Sequence, residues 1–303
     1  NGKEKIKGVA GCGKTVILSQ RAINAHQRHH STVLILTFNI TLKNYIRDKI
    51  SDIQGSRDYS SLEISNYHQF YNSQVNNTEE DIVELIDMYG IERLYSIDIF
   101  QNSDTTKYQT ILVDEIQDYQ SEWIKIIRDN FLYEGGEMIL FGDESQNIYQ
   151  RDVVRSPVIA QGFGRWVKLT RSYRTDKSSP LNQLFKDFQT QYLVEIYSDT
   201  EITDVSPPTK DNSQPNLFSF LKYESIPVSG WQKAVFDSMQ IYIKRHELHP
   251  NDVVILSSQI SLVRQINQLW IKKEKTHCTF FFESLLSFNP KLSIQNYSEH
   301  VFF

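Results

Sequence analysis

The chain has 303 residues, 40% of them hydrophobic and 12% aromatic, with a net charge of −5 and two cysteines. That length and composition suit a globular protein with room for two buried cores and exclude disordered and collagen-like chains. Cys12 and Cys278 cannot supply a disulfide framework, and no stretch has the apolar length of a membrane span. The opening "NGKEKIK" lacks the apolar core of a signal peptide, so a cytosolic protein is expected, and the missing initiator Met points to a native start elsewhere. The acidic balance gives the molecule no general attraction for polyanions, so nucleic-acid binding has to come from a local patch. Basic clusters occur at Lys43 to Lys49 and at Arg165 to Lys177, the second interleaved with Trp166 and Tyr173.

In chain order, Ile6 to Val9 can make a short strand, and "GVAGCGKT" follows its start with Gly8, Gly13, Lys14 and Thr15 at the fixed positions of G-x-x-x-x-G-K-[ST]. The next stretch spaces Val16, Ala22 and Ile23 as a helix does. Strand, glycine-rich turn and helix N-terminus together form a cradle for phosphate: glycines let backbone N–H groups approach the oxygens, and the helix adds its positive dipole end. Lys14 is then placed for the β- and γ-phosphates and the Thr15 hydroxyl for Mg2+. Cys12 reads as a small residue that fits the turn. For a lone match, a turn that binds nothing is the alternative.

Apolar, β-branched runs recur between helical patterns at Val33 to Phe38, Ser61 to Ser65, Thr110 to Asp114 and Glu137 to Asp143. Their alternation predicts a mostly parallel sheet covered on both faces. "TEEDIVELIDMYG" reads as a helix capped by Thr78 and ended by Gly90. A second α/β series is expected from Trp166 onward, with strands at "NLFSFLKY" and "DVVILSS" and helices at "SSPLNQLFKDFQTQYL", "GWQKAVFDSMQIYIKRHEL" and "ISLVRQINQLWIKK". The expected division is residues 1–165 as a phosphate-loop domain and 166–303 as a partial second domain.

The strand "TILVD" ends in Asp114 and Glu115, with Gln117 and Asp118 just beyond. Paired acids at a strand's C-terminal end sit where an open α/β sheet holds its ligand. Beside a phosphate loop, Asp114 is the candidate Mg2+ ligand and Glu115 the candidate base for the attacking water. Asp118 is equally explained as an acid favouring a helix dipole. The next strand ends in Gly142 and Asp143, with Gln146 placed to sense a γ-phosphate.

Taken in order, these segments resemble the ATPase motor of superfamily 1 helicases, the UvrD/Rep-like group. "GVAGCGKT", "LILTFNITL", "SNYHQF", "VDEIQD", "FGDESQNIY" and "LTRSYRT" are similar, collinearly, to that family's motifs. The resemblance implies a P-loop RecA-like parallel sheet followed by a second, incomplete RecA-like unit. It implies ATP hydrolysis with Mg2+, coupled to translocation on single-stranded DNA with 3′ to 5′ polarity. Gly8, Gly11, Gly13, Lys14, Thr15, Gln117 and Tyr173 would contact the nucleotide, Tyr173 by stacking on adenine. Arg174 would serve as an arginine finger supplied by the second unit, and Phe38, Asn39, His68 and Tyr149 would face the DNA. Without the family, Phe38 and Tyr149 read as core aromatics and His68 as a buried, satisfied histidine.

The chain also departs from the pattern. Asn66 replaces the usual Thr beside His68, and Gln150-Arg151-Asp152 lacks the tryptophan expected after Tyr149. The span from His68 to Asp114 leaves no room for a large accessory domain, and the last two motifs of the family are not found before Phe303. A truncated member is therefore expected. The second functional reading is a nucleotide-binding switch or interaction module of a DNA repair or defence complex, without unwinding of its own.

Overall fold

The computed structural model describes residues 2–40, 42–55, 60–143, 146, 162–173, 180–193, 225–248, 253–255, 257 and 259–275. Two compact units emerge, residues 1–217 and 218–303.

The first unit is built on β1 (Lys3–Gly8), β2 (Val33–Thr37), β3 (Leu62–Asn66), β4 (Tyr108–Val113), β5 (Leu132–Gly142) and β6 (Trp166–Leu169). They form one sheet in the order β3-β2-β4-β5-β1-β6, with every neighbouring pair parallel. The helices are α1 (Lys14–His29), α2 (Leu42–Gln54), α3 (Tyr67–Val75), α4 (Ile82–Tyr89), α5 (Ile91–Leu94), α6 (Ser121–Phe131) and α7 (Pro180–Phe188). This is the RecA-like α/β architecture expected from the alternating pattern.

Both faces of the sheet are dry because the strands alternate their apolar residues between two cores. Leu34, Leu36, Ile111, Val113, Met138 and Leu140 point to one side, where Tyr67, Phe70, Tyr71, Trp123 and Ile127 of α3 and α6 cover them. Val33, Ile35, Leu112, Ile139 and Phe141 point to the other, against Leu18, Ala22 and Ile23 of α1 and Ile46 and Ile50 of α2. Because every neighbouring pair is parallel, all six C-terminal ends line one rim, and helices make the described crossovers from β1 through to β5.

β6 pairs with β1 through Lys5↔Trp166 to Gly8↔Leu169, so it is an edge strand of the first sheet and not the start of the second α/β series. The cap of α4 is Asp81, whose carboxylate accepts from the N–H groups of Val83 and Glu84 at 2.7 and 3.2 Å, whereas the Thr78 hydroxyl turns back to the Val75 carbonyl. Gly90 does end that helix, with a left-handed φ of 77°. Asn66, the departure beside His68, caps α3 by accepting from Gln69 N at 2.8 Å, a role threonine fills by the same geometry.

In the second unit, α8 (Trp231–Arg245) and α9 (Ile260–Glu274) are the elements among the described residues. Phe236 packs edge-on to Trp270 at 5.6 Å, and the pairs Gln232–Gln265 and Gln240–Glu274 advance together along both helices. The two helices therefore run parallel, and the chain must return between them. The expected strand "DVVILSS" lies on that return, but its described residues, 253–255 and 257, form no strand. "NLFSFLKY" lies outside the described residues.

Candidate functional site

The phosphate loop closes the end of β1. Gly8 is obligatory there: a Cβ would stand 2.6 Å from both the Leu169 carbonyl and the Cys12 sulfur, where β6 and the loop press on the strand. Gly11 and Gly13 hold φ of 76° and 92°, and Gly13 stands at the N-cap of α1, leaving the first-turn N–H groups without a side-chain cap. Cys12 is buried, and burial raises its thiol pKa above the ordinary value, which suits a packing role. Thr15 follows in the first turn, half-buried.

Lys14 is 8% exposed, and its ammonium donates to the Gly8 carbonyl at 2.7 Å and lies 3.6 Å from Asp143 Oδ2. Burial pulls its pKa down, but the carboxylates of Asp143, Glu115 and Asp114 outweigh that effect and hold it above the ordinary value. The amine is therefore charged, as phosphate binding needs.

One strand, β5, separates β1 from β4, and the β4 tip carries the acids. Asp114 is 1% exposed; Oδ1 accepts from Glu115 N at 3.1 Å, and Oδ2 is buried without a hydrogen-bond partner. Burial first, then the Glu115 charge, push its pKa up to about 7. A buried carboxylate oxygen with no donor is costly unless a cation or proton meets it, so Asp114 fits a metal ligand. Glu115 adopts φ 50° and ψ 53°, a left-handed conformation that costs a non-glycine residue roughly 1 kcal/mol or more. That turn aims the two adjacent acids differently: Asp114 inward, Glu115 toward Gln117, whose Nε2 donates to Glu115 Oε2 at 2.7 Å.

Gln117 continues the chain of contacts. Its Oε1 accepts from Asp143 N at 3.0 Å, and Gln146 Nε2 donates to Asp143 Oδ2 at 2.7 Å. Lys14, Asp114, Glu115, Gln117, Asp143 and Gln146, from three strand tips, thus form one connected cluster. The contact sequence reasoning missed is Asp143 beside Lys14; the only signal for it was the recurrence of an acid at the end of the next strand.

Residues 3–152 match the family model described as an AAA domain. The match spans the phosphate loop, both acids and Gln146. A P-loop, nucleotide-binding core is therefore common to the motif, the geometry and the family match. Comparison with curated proteins returns no match. Among solved structures the chain is similar to the Pif1 helicase from Candida albicans, with TM-score 0.37 and 14% identity over 62% of this chain and 40% of that chain. The chain thus spans less than half of that helicase's length.

Tyr173 is placed beside the loop: its backbone N–H donates to the Gly11 carbonyl at 2.8 Å, while its ring is 68% exposed with the Arg171 guanidinium 4.9 Å from its centroid. This residue belongs to the first unit. Arg174, expected from the second unit, follows it directly and lies outside the described residues, as does Tyr149.

Of the residues expected to face DNA, Phe38 is half-buried and lies parallel to Trp123 at 6.3 Å, with His68 and Tyr119 edge-on at 6.3 and 6.2 Å. His68 is 8% exposed and sits edge-on to Tyr95 at 4.5 Å and to Trp123 at 4.8 Å. Trp123 is itself anchored by donation to Ser96 Oγ at 3.0 Å. These rings form the rim end of one sheet core, the buried setting that the residues by themselves suggest. Asn39 is half-buried beside them, its carbonyl accepting from the Thr37 hydroxyl at 2.8 Å.

Proposed function

We propose that the chain is an ATP-hydrolysing motor core of the superfamily 1, UvrD/Rep-like kind that acts on single-stranded DNA. The observation that carries this reading is the convergence at neighbouring strand tips of a charged amine and three acids, Asp143, Glu115 and Asp114, the last with a buried carboxylate oxygen that has no donor. Lys14 and the α1 N-terminus would bind the β- and γ-phosphates, and the exposed face of Tyr173 would stack on the base. Thr15 and Asp114 would hold Mg2+, which when bound neutralises phosphate charge. Glu115, held by Gln117, would take the proton of the attacking water, and Gln146 would report the γ-phosphate. Arg174 would complete the charge around that phosphate.

For the DNA side, Phe38, Asn39, His68 and Tyr149 are proposed as contacts, His68 standing edge-on to Phe38. The alternative, a nucleotide-binding switch within a repair or defence complex, is favoured by the net charge of −5 and by the packing of half-buried Phe38 and buried His68 against an aromatic core.

The test is ATP turnover with Mg2+ in the full chain. Lys14→Ala is expected to lower turnover at least about a hundredfold, as loss of a phosphate-charge stabiliser does, with the fold intact by circular dichroism. Equal turnover in the two proteins removes the nucleotide-site reading.

A further inference from the structure

Asp143 has no assigned part in the hydrolysis described above, yet it is the residue on which the cluster turns. It is 5% exposed at the tip of β5, and its Oδ2 both accepts from Gln146 at 2.7 Å and faces the Lys14 ammonium at 3.6 Å. Its backbone is fixed from behind by Gln117 at 3.0 Å. The same ammonium also donates to the Gly8 carbonyl. Lys14 is thereby supplied, from within the protein, with the anion and the acceptor that a phosphate would bring.

The geometry points to Asp143 as an internal counter-anion that competes with the terminal phosphates of a nucleotide for Lys14 and Gln146 together. The inference rests on the nucleotide-site reading and adds a regulatory contact to it. In a buried site an ion pair must be exchanged rather than simply gained, so phosphate binding yields only the difference between the two partners. Affinity is then held below what the loop could give. Because one oxygen faces both groups, a phosphate that draws Lys14 away also changes the charge against which Gln146 is held. The opposing physical account is that Asp143 positions Lys14 for phosphate. The two accounts predict opposite signs when the charge is removed.

The experiment is calorimetric titration of ATP with Mg2+ into the full chain as wild type, Asp143→Asn and Lys14→Ala. Asp143→Asn keeps the shape and removes the competing charge, and is expected to bind ATP about tenfold tighter, the lower end of what close charge pairs contribute. Asp143→Ser carries the same expectation and serves if the amide variant does not fold. Unchanged or weaker ATP binding in the folded Asp143 variant, with Lys14→Ala still impaired, overturns the counter-anion while leaving the nucleotide site standing. Lys14→Ala binding as tightly as wild type overturns both.

Discussion

Asp114 concentrates the electrostatic cost of the site in one side chain. Its carboxyl titrates at about 7 because burial and the neighbouring Glu115 disfavour the charge more than Lys14 favours it. In the unfolded chain it titrates near the ordinary value of 3.8. Between those values the folded state keeps a proton that the unfolded state has released, so the contribution of Asp114 to stability is full below about pH 4 and is lost as pH rises toward 7. Without nucleotide or divalent cation, the unfolding free energy of the wild type is expected to fall across that interval by a few kcal/mol, at about 1.4 kcal/mol per tenfold change in proton affinity. Asp114→Asn should flatten that fall in urea titrations run across the pH range; an unchanged slope would assign the dependence to other groups. Glu115 adds a conformational cost at the adjacent position, so two neighbouring residues are strained in different ways, one by charge and one by φ.

Among the elements, the parallel strands do the assembling. Six C-terminal tips on one rim place the loop after β1, the acids after β4 and Asp143 after β5 within hydrogen-bond or ion-pair distance, although they are far apart in sequence. The β5 tip is brought in closely by Gly142, where a Cβ would stand 2.5 Å from Ile116 Cγ2 and 3.4 Å from Gln117 Oε1. Ile116 is fully buried and has no room to retreat. Gly142→Ala is therefore expected to destabilise the protein by about 1–3 kcal/mol, the usual range for overpacking. In an Ile116→Ala background the added methyl should cost less, and a double-mutant cycle in denaturant reads the coupling. Additive effects would mean that the two atoms do not compete for the same space.

At the scale of the whole molecule, charge and function pull in different directions. A chain of net charge −5 must attract a phosphate backbone through a local surface, and Phe38 and His68 are packed among Trp123, Tyr119 and Tyr95. If the motor reading holds, single-stranded DNA should raise the ATPase rate, and its affinity should fall linearly on a log–log plot against salt, with a slope of about −0.7 per phosphate contact. A rate indifferent to DNA at low salt would favour the switch. Among the described residues, no helix is long and apolar enough to cross a membrane.

Local chemistry made the phosphate loop legible: glycines at positive φ, a lysine and a hydroxyl are bound to nearby positions by backbone geometry. The parallel sheet was legible for a related reason, since apolar runs alternating with helical periods leave few other ways to cover two faces. The cap of α4 falls at Asp81 and not at Thr78, although both carry capping oxygens, because the Thr78 hydroxyl is taken up by the Val75 carbonyl of the preceding turn. Membership of Trp166–Leu169 in the first sheet, the meeting of Asp143 with Lys14, and the enclosure of His68 depend on contacts between distant segments. A linear pattern fixes which residues prefer a strand tip or a helix start. It carries no term for which tips become neighbours, because strand order is decided by how the helices pack across the finished sheet.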